Sequence, residues 1–169
     1  MIYKVHCTQE TEEFDMDQLN NNYDELRKVV VAFRKAIVTA RENRDFDRKD
    51  RISNFPGGCC DDACDLLSYY LYDKFGIRTT QGNGLYDDGV FENRTNHAWL
   101  VMDDGTVIDI TGTQFRFCAG FTEEVYIGQE SSFYRGLERK TMLENYDIRQ
   151  SKRLWTDYQI ILGYLEEGW

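Results

Sequence analysis

The sequence predicts a single α+β domain in which helices flank an antiparallel β-sheet. Apolar residues recur at helical spacing early in the chain and again near its end. Between these two stretches the periodicity shortens to strand-like segments separated by Gly, Asn and Asp. The chain has 169 residues, of which 41% are hydrophobic, so it is long enough to bury one core. We therefore treat residues 1–169 as one domain.

The acidic composition argues against nucleic acids and anionic membranes as binding partners. The formal net charge is −10, whereas nucleic acids and anionic membrane surfaces attract clustered Lys and Arg. The first residues, MIYKVHCTQETEEF, contain no apolar run of the length that a signal peptide or a membrane span needs. We expect a cytoplasmic protein with reduced thiols and no nucleic-acid or membrane partner, and the oligomeric state stays open.

The first helix is predicted at about residues 23–43. Its apolar positions run from Leu26 to Ala40, and the asparagines at 20–22 offer an N-terminal cap. Residues 1–8 before it favour a short strand. The charged run RENRDFDRKDR after it is typical of a solvated loop.

A second helix is predicted at about residues 59–75. It follows the chain's only proline and the Gly57-Gly58 pair, and Gly76 is placed to end it. Four segments then favour strands: IRTTQG, HAWLVM, TVIDI and EVYIG. Helical spacing returns in RLWTDYQIILGYLEE, which predicts a closing helix.

Three cysteines at the head of the second helix are the first candidates for chemistry. A thiol is mostly protonated near pH 7, and a helix N-terminus or a neighbouring histidine favours the reactive thiolate. Asp61 and Asp62 follow directly, and their negative charges work against a thiolate. We therefore expect a histidine to provide most of the activation.

His97 is the candidate base. The chain has two histidines, and His6 has the pattern of an ordinary strand residue. A catalytic imidazole needs a third group to fix its orientation, and Asp109 lies at the end of the strand after that of His97. A two-residue turn would place the two side chains on opposite faces, but a three-residue loop at 103–105 makes them same-face diagonal neighbours. Because the glycine stands third, we predict the three-residue loop.

Two other uses of the cysteines stay open. Cys59, Cys60 and Cys64 with His97 could bind zinc, but the spacing lacks a C-x-x-C clip, and we predict no metal. A Cys59–Cys60 or Cys60–Cys64 disulfide could instead act as a redox switch.

Further residues are candidates to line a substrate cleft. Trp99, two residues after the histidine, shares its face and forms either the cleft floor or part of the core. Cys59 is expected to pack against the sheet or to border the cleft, and Gln114 either to pack within the hairpin or to line the cleft. Cys7 and Cys118 are expected to be small buried residues.

Three ordered segments carry a resemblance: NFPGGCCDDACDLL, NHAWLVM and VIDITGTQF. A Gly-containing turn with Cys at a helix head, then His, then Asp, resembles the papain-like and transglutaminase-like thiol enzyme superfamily. More closely, the segments are similar to the pattern F-P-x-G-x-C-x-D-A, H-A-W-L and I-D-I-T-x-x-Q-F of a group of largely uncharacterised bacterial proteins. The resemblance covers about residues 54–128 and implies a catalytic core whose nucleophile helix packs on the sheet. Residues 1–50 would then be a strand-and-helix extension, and residues 129–169 a C-terminal helical closure.

The resemblance implies roles for four residues and no cofactor. Cys60 would be the nucleophile, His97 the base and Asp109 the orienting carboxylate. Asn54, six residues before the cysteine, would help bind the oxyanion through its side-chain amide.

The expected function is a cysteine-dependent hydrolase or acyltransferase. It would act on an amide, isopeptide or thioester bond of a peptide, a protein or a small amide. The alternative is a catalytically silent papain-like module that binds a protein partner.

Overall fold

A computed structural model of the chain describes residues 23–166, and the structural statements below refer to that range. The predicted strand at residues 1–8, together with His6 and Cys7, lies outside the described residues.

The described chain is an α+β fold, as predicted. It has four α-helices: α1 Tyr23–Asn43, α2 Cys60–Phe75, α3 Ser132–Gly136 and α4 Lys152–Glu166. It has five strands: β1 Thr79–Tyr86, β2 Thr95–Met102, β3 Val107–Asp109, β4 Tyr126–Gly128 and β5 Glu138–Glu144. Within residues 23–166, no helix combines the length and the apolar character that crossing a bilayer requires.

The two long helices predicted before the sheet are confirmed. The apolar stripe of α1, including Leu26, Phe33 and Ile37, is buried. Helix α2 ends at Gly76, which has a φ of 63° and donates its N–H to the carbonyls of Leu71 and Tyr72. Glycine adopts this left-handed conformation without the steric penalty of a side chain, so it terminates the helix.

The strands form one antiparallel sheet in the order β4-β3-β2-β1-β5. In the β2–β3 hairpin, Leu100 pairs with Ile108. The N–H of Gly105, whose φ is 86°, donates to the Met102 carbonyl at 2.9 Å. The loop therefore contains residues 103–105, as predicted, and this register places His97 and Asp109 on the same face of the sheet.

Each face of the sheet borders a different apolar cluster. Ala98, Leu100 and Ile108 belong to the main core, which they share with α1, α2 and α4. The opposite face holds a smaller cluster of Trp99, Val107, Tyr134 and Leu137. Trp99 therefore belongs to an aromatic layer on the His97 side of the sheet.

Gly82 of β1 makes room for this layer. A Cβ atom at Gly82 would lie 2.4 Å from Cε2 of Trp99, closer than side-chain atoms can approach. The absence of a side chain at this position lets the indole lie flat against the strand.

Three parts of the fold differ from the predictions, and one is the short helix α3, since no helix was predicted at residues 132–136. The charged run after α1 is not a wholly solvated loop, because Phe46 and Asp50 are only 4% and 5% exposed. Strand β5 was not predicted. All of its residues are exposed, so its sequence lacks the alternation that a half-buried strand shows.

Candidate active site

His97 and Asp109 form a fully buried pair. Nε2 of His97 lies 2.7 Å from Oδ2 of Asp109, and neither side chain is exposed to solvent. Tyr134 donates its hydroxyl to the same carboxylate oxygen at 2.9 Å. The Thr111 N–H donates to Oδ1 at 2.8 Å. The carboxylate therefore has donors on both oxygens and holds the imidazole in one orientation.

The pair shifts the protonation of both partners. Burial alone would lower the pKa of His97, but the charge and hydrogen bond of Asp109, and then those of Cys60, raise it to about 9. Burial alone would raise the pKa of Asp109, but the charge and hydrogen bond of His97 lower it. The favoured state at neutral pH is an imidazolium beside a carboxylate.

Cys60 is the first residue of α2 and lines the same cavity as His97, whose pKa its thiol helps to raise. It is half-buried and carries a free thiol. The preceding residue, Cys59, makes no side-chain bond to the helix start, so it does not cap the N–H groups of the first turn. The thiol thus lies at the positive end of a helix and borders the same cavity as the imidazole of His97.

The acidic residues beside Cys60 are paired with arginines. Arg51 binds Asp61 at 3.0 Å and Asp62 at 2.6 Å, and Arg153 binds Asp62 at 2.9 Å. Each carboxylate therefore has a guanidinium neighbour that offsets part of its charge, and the expectation that the two aspartates oppose the thiolate stays a prediction.

Gln114 contacts the second nitrogen of the histidine. Its Nε2 lies 3.1 Å from Nδ1 of His97, and it also donates to the Thr111 carbonyl at 3.3 Å. In the neutral ring Nδ1 accepts this hydrogen bond, whereas in the imidazolium Nδ1 is a donor and needs an acceptor. Because Nε2 is bound to Asp109, Nδ1 is the nitrogen left to exchange a proton with Cys60.

A cavity of about 500 Å³ opens at this site. Cys60 and His97 both line it, and so does Gln114, one of the candidates for the substrate cleft. The remaining lining residues are mostly polar: Arg51, Gly58, Asp61, Asn83, Gly84, Leu85, Thr95, Asn96, Ala98, Arg139 and Thr141. The thiol and the imidazole therefore face a space that can admit a polar substrate.

Three other predicted residues do not reach this cavity. Asn54 is exposed in a 3-10 turn, and its carbonyl accepts the Gly57 N–H as the chain reverses, which leaves the side chain outside the site. Cys59 is buried in the main core, where burial raises the pKa of its thiol to about 12. Trp99 is 3% exposed and stacks beside His97 with ring centroids 5.9 Å apart, so it packs against the imidazole from within the aromatic layer.

The remaining described cysteines are free thiols. Cys64 is buried, and burial raises its pKa well above the ordinary value. Cys118 is half-buried rather than buried, with Sγ directed at the Phe115 carbonyl. Within residues 23–166, no group of three or more His, Cys, Asp or Glu side chains is arranged to hold a metal ion.

Sequence reasoning missed Tyr134 and the two arginines. Tyr134 lies in SSFYRG, where nothing in the sequence points toward Asp109. Arg51 stands in the charged run that was interpreted as solvated, and Arg153 lies in the first turn of α4, in a distant part of the chain. The signal for Arg51 was its position nine residues before Cys60, close in sequence to Asp61 and Asp62.

Comparison of the chain with protein-family models, with curated proteins and with solved structures finds no match.

Proposed function

We propose that the protein is a cysteine-dependent hydrolase or acyltransferase of the papain-like or transglutaminase-like kind, acting on an amide, isopeptide or thioester bond. Cys60 is the nucleophile, His97 the acid and base, and Asp109 the residue that orients His97. The observation that supports this best is the alignment of three groups: a buried carboxylate, a buried imidazole and a thiol at a helix N-terminus. This is the arrangement that nucleophilic catalysis by cysteine requires.

In the acylation step, the Cys60 thiolate attacks the carbonyl carbon of the substrate and a C–S bond forms. The tetrahedral intermediate collapses as His97 gives its Nδ1 proton to the leaving nitrogen, and the C–N bond breaks. The amine departs, and the acyl group stays on Cys60 as a thioester. Asp109 keeps the charged ring in place throughout, because its hydrogen bond to Nε2 persists in both protonation states.

In the second step, water or an amine attacks the thioester carbonyl. His97, now neutral, takes a proton from the attacking group, and the C–S bond breaks to return the Cys60 thiolate. With water the product is a carboxylic acid, so the overall reaction is amide plus water to acid plus amine. With an amine the product is a new amide.

The oxyanion of each intermediate needs hydrogen-bond donors. The backbone N–H of Cys60 at the start of α2 is one candidate, and the Gln114 side-chain amide in the cavity is the other. In this proposal Gln114 has the role of oxyanion donor that the sequence resemblance implied for Asn54.

Trapping of the acyl-enzyme tests the proposal. The protein is mixed with a panel of thioesters and aryl esters of short N-acetylated amino acids, and its intact mass is measured during turnover. We expect an adduct of the acyl mass on Cys60, which hydroxylamine removes because the bond is a thioester.

The controls are Cys60→Ala, which should abolish the adduct, and Cys64→Ala, which should retain it because that thiol is buried. Absence of any adduct across the panel would contradict the proposal. An adduct that forms equally fast in His97→Ala would contradict the role assigned to the histidine.

A further inference from the structure

Arg139 stands in an irregular part of the edge strand beside the cavity. In the β1–β5 ladder, Asn83 pairs with Thr141, but Leu85 pairs with Glu138. Two residues of β5, at 139 and 140, therefore oppose the single residue Gly84, which is the arrangement of a β-bulge. Bulges change the direction of a side chain, and Arg139 is among the residues that line the cavity.

The backbone of Arg139 has an unusual conformation for a residue with a side chain. Its φ is 50°, in the left-handed region that favours glycine. Strained conformations of this kind are held in place by the surrounding structure, here the bulge, and they cluster at active sites and ligand-binding positions. The side chain at this position therefore calls for a functional explanation.

No carboxylate among the described residues neutralises the charge of Arg139. Among residues 23–166 it forms no ion pair with a carboxylate. Arg51, the other arginine of the cavity, is already bound to Asp61 and Asp62. The cavity therefore presents one uncompensated guanidinium, in a protein whose net charge is −10.

We propose that Arg139 selects substrates that carry a carboxylate. The planar guanidinium binds a carboxylate through two parallel N–H···O bonds, while the neighbouring Asn83 and Thr141 offer neutral hydrogen-bonding groups. The substrate class is an acidic amide or peptide, with its reactive carbonyl at Cys60 and its carboxylate at Arg139. This inference rests on the proposed function of the same site.

Two alkylating reagents that share the same leaving group but differ in charge test the proposal. Iodoacetate and iodoacetamide are reacted separately with the intact protein, and the rate at Cys60 is measured by peptide mass spectrometry. The ratio of the two rates is divided by the same ratio for glutathione. We expect a preference for iodoacetate in the wild type, reduced about threefold to fivefold in Arg139→Gln with the iodoacetamide rate unchanged.

Lys140→Gln is the matched control. It removes the same charge one residue away, from a side chain that pairs with Glu130 and does not line the cavity, so the ratio should stay at the wild-type value. Arg139→Lys keeps a positive charge and should retain part of the preference. An equal ratio in the wild type and Arg139→Gln would overturn the proposal. The absolute iodoacetamide rate reports separately on thiol activation, so a slow Cys60 would count against the proposed function and not against the charge preference.

Discussion

The Tyr134 hydroxyl and Nε2 of His97 share one oxygen of Asp109, at 2.9 and 2.7 Å respectively. Tyr134 is fully buried, and burial together with the charge of Asp109 raises its pKa, so the hydroxyl stays a donor. The tyrosine thus stabilises the charged form of the carboxylate that orients the histidine.

We predict that Tyr134→Phe destabilises the protein and weakens the His97–Asp109 pair. A hydrogen bond to a charged group contributes about 1.5–3 kcal/mol, and the mutation removes one without removing the carboxylate. Denaturant unfolding at pH 7 checks the loss. Tyr126→Phe is the control, because that hydroxyl bonds only to the exposed Gln129 carbonyl and should change stability by less than about 1 kcal/mol. Equal effects of the two mutations would remove the special role of Tyr134.

The ionisation of His97 gives a second prediction. NMR of the imidazole nitrogens should show a midpoint at about pH 9, with the His97→Gln spectrum identifying the resonance. In Asp109→Asn the midpoint should fall by about 1 to 3 pH units, because the attracting charge is lost. A midpoint near the ordinary 6.5 in the wild type would show that the pair is not formed in solution.

The same shift predicts how stability depends on pH. Since the folded pKa of His97 is raised, its stabilising contribution is complete below about pH 6.5 and disappears as the pH rises through 9. Asp109 has a lowered pKa, so its contribution is complete above about pH 3.8 and disappears in stronger acid. The free energy of unfolding should therefore fall between pH 7 and pH 10, and this fall should be smaller in Asp109→Asn.

Replacing the buried Asp157 by asparagine should stabilise the protein. It is 3% exposed, and its Oδ2 accepts no hydrogen bond within residues 23–166. Burial, and then the charge of Asp50, raise its pKa from 3.8 to about 7. The ionisation of Asp157 therefore lowers the free energy of unfolding, and the loss grows as the pH rises from 3.8 to about 7. Because asparagine stays neutral, Asp157→Asn should stabilise the protein at pH 8 by about 1–3 kcal/mol. Thermal unfolding at pH 8 and pH 5 measures this, and a gain that is equal at both values would contradict the assignment.

Substitution of glycine by alanine should have opposite effects on stability at positions 82 and 163. A Cβ at Gly82 would meet the Trp99 ring, so Gly82→Ala should displace the indole and cost about 1–3 kcal/mol. Gly163 lies inside α4 with open space around it, so Gly163→Ala should stabilise by about 0.5–1 kcal/mol. Denaturant unfolding of both variants decides the point. A neutral Gly82→Ala would show that Trp99 is free to move.

Patterns between residues close in sequence predicted the two long helices before the sheet and the β2–β3 hairpin. The boundaries of α1 and the end of α2 follow from apolar spacing and from Gly76, whose conformation can be anticipated from its residue type. The position of Gly105 predicted the hairpin loop, and the loop in turn brought Asp109 beside His97. These features depend on residues that are close in sequence.

The residues that were missed depend on distant contacts. Tyr134 reaches Asp109 across 25 positions, and Arg153 reaches Asp62 across 91. Asn54 was placed by counting back from Cys60, but the reversal of the chain at 54–57 turns it outward. Spacing along a loop does not fix where its side chains lie, because loop geometry depends on the tertiary contacts around it.

The central claim is that His97 and Asp109 activate the Cys60 thiol. The most direct measurement is the rate of iodoacetamide alkylation at pH 6.5, resolved by residue with mass spectrometry. Cys118 is an internal reference, since it is also half-buried but is not among the groups that shift the pKa of His97. We expect Cys60 to react at least about tenfold faster than Cys118, and the advantage to disappear in His97→Ala. Equal rates at the two cysteines in the folded wild-type protein would contradict the account.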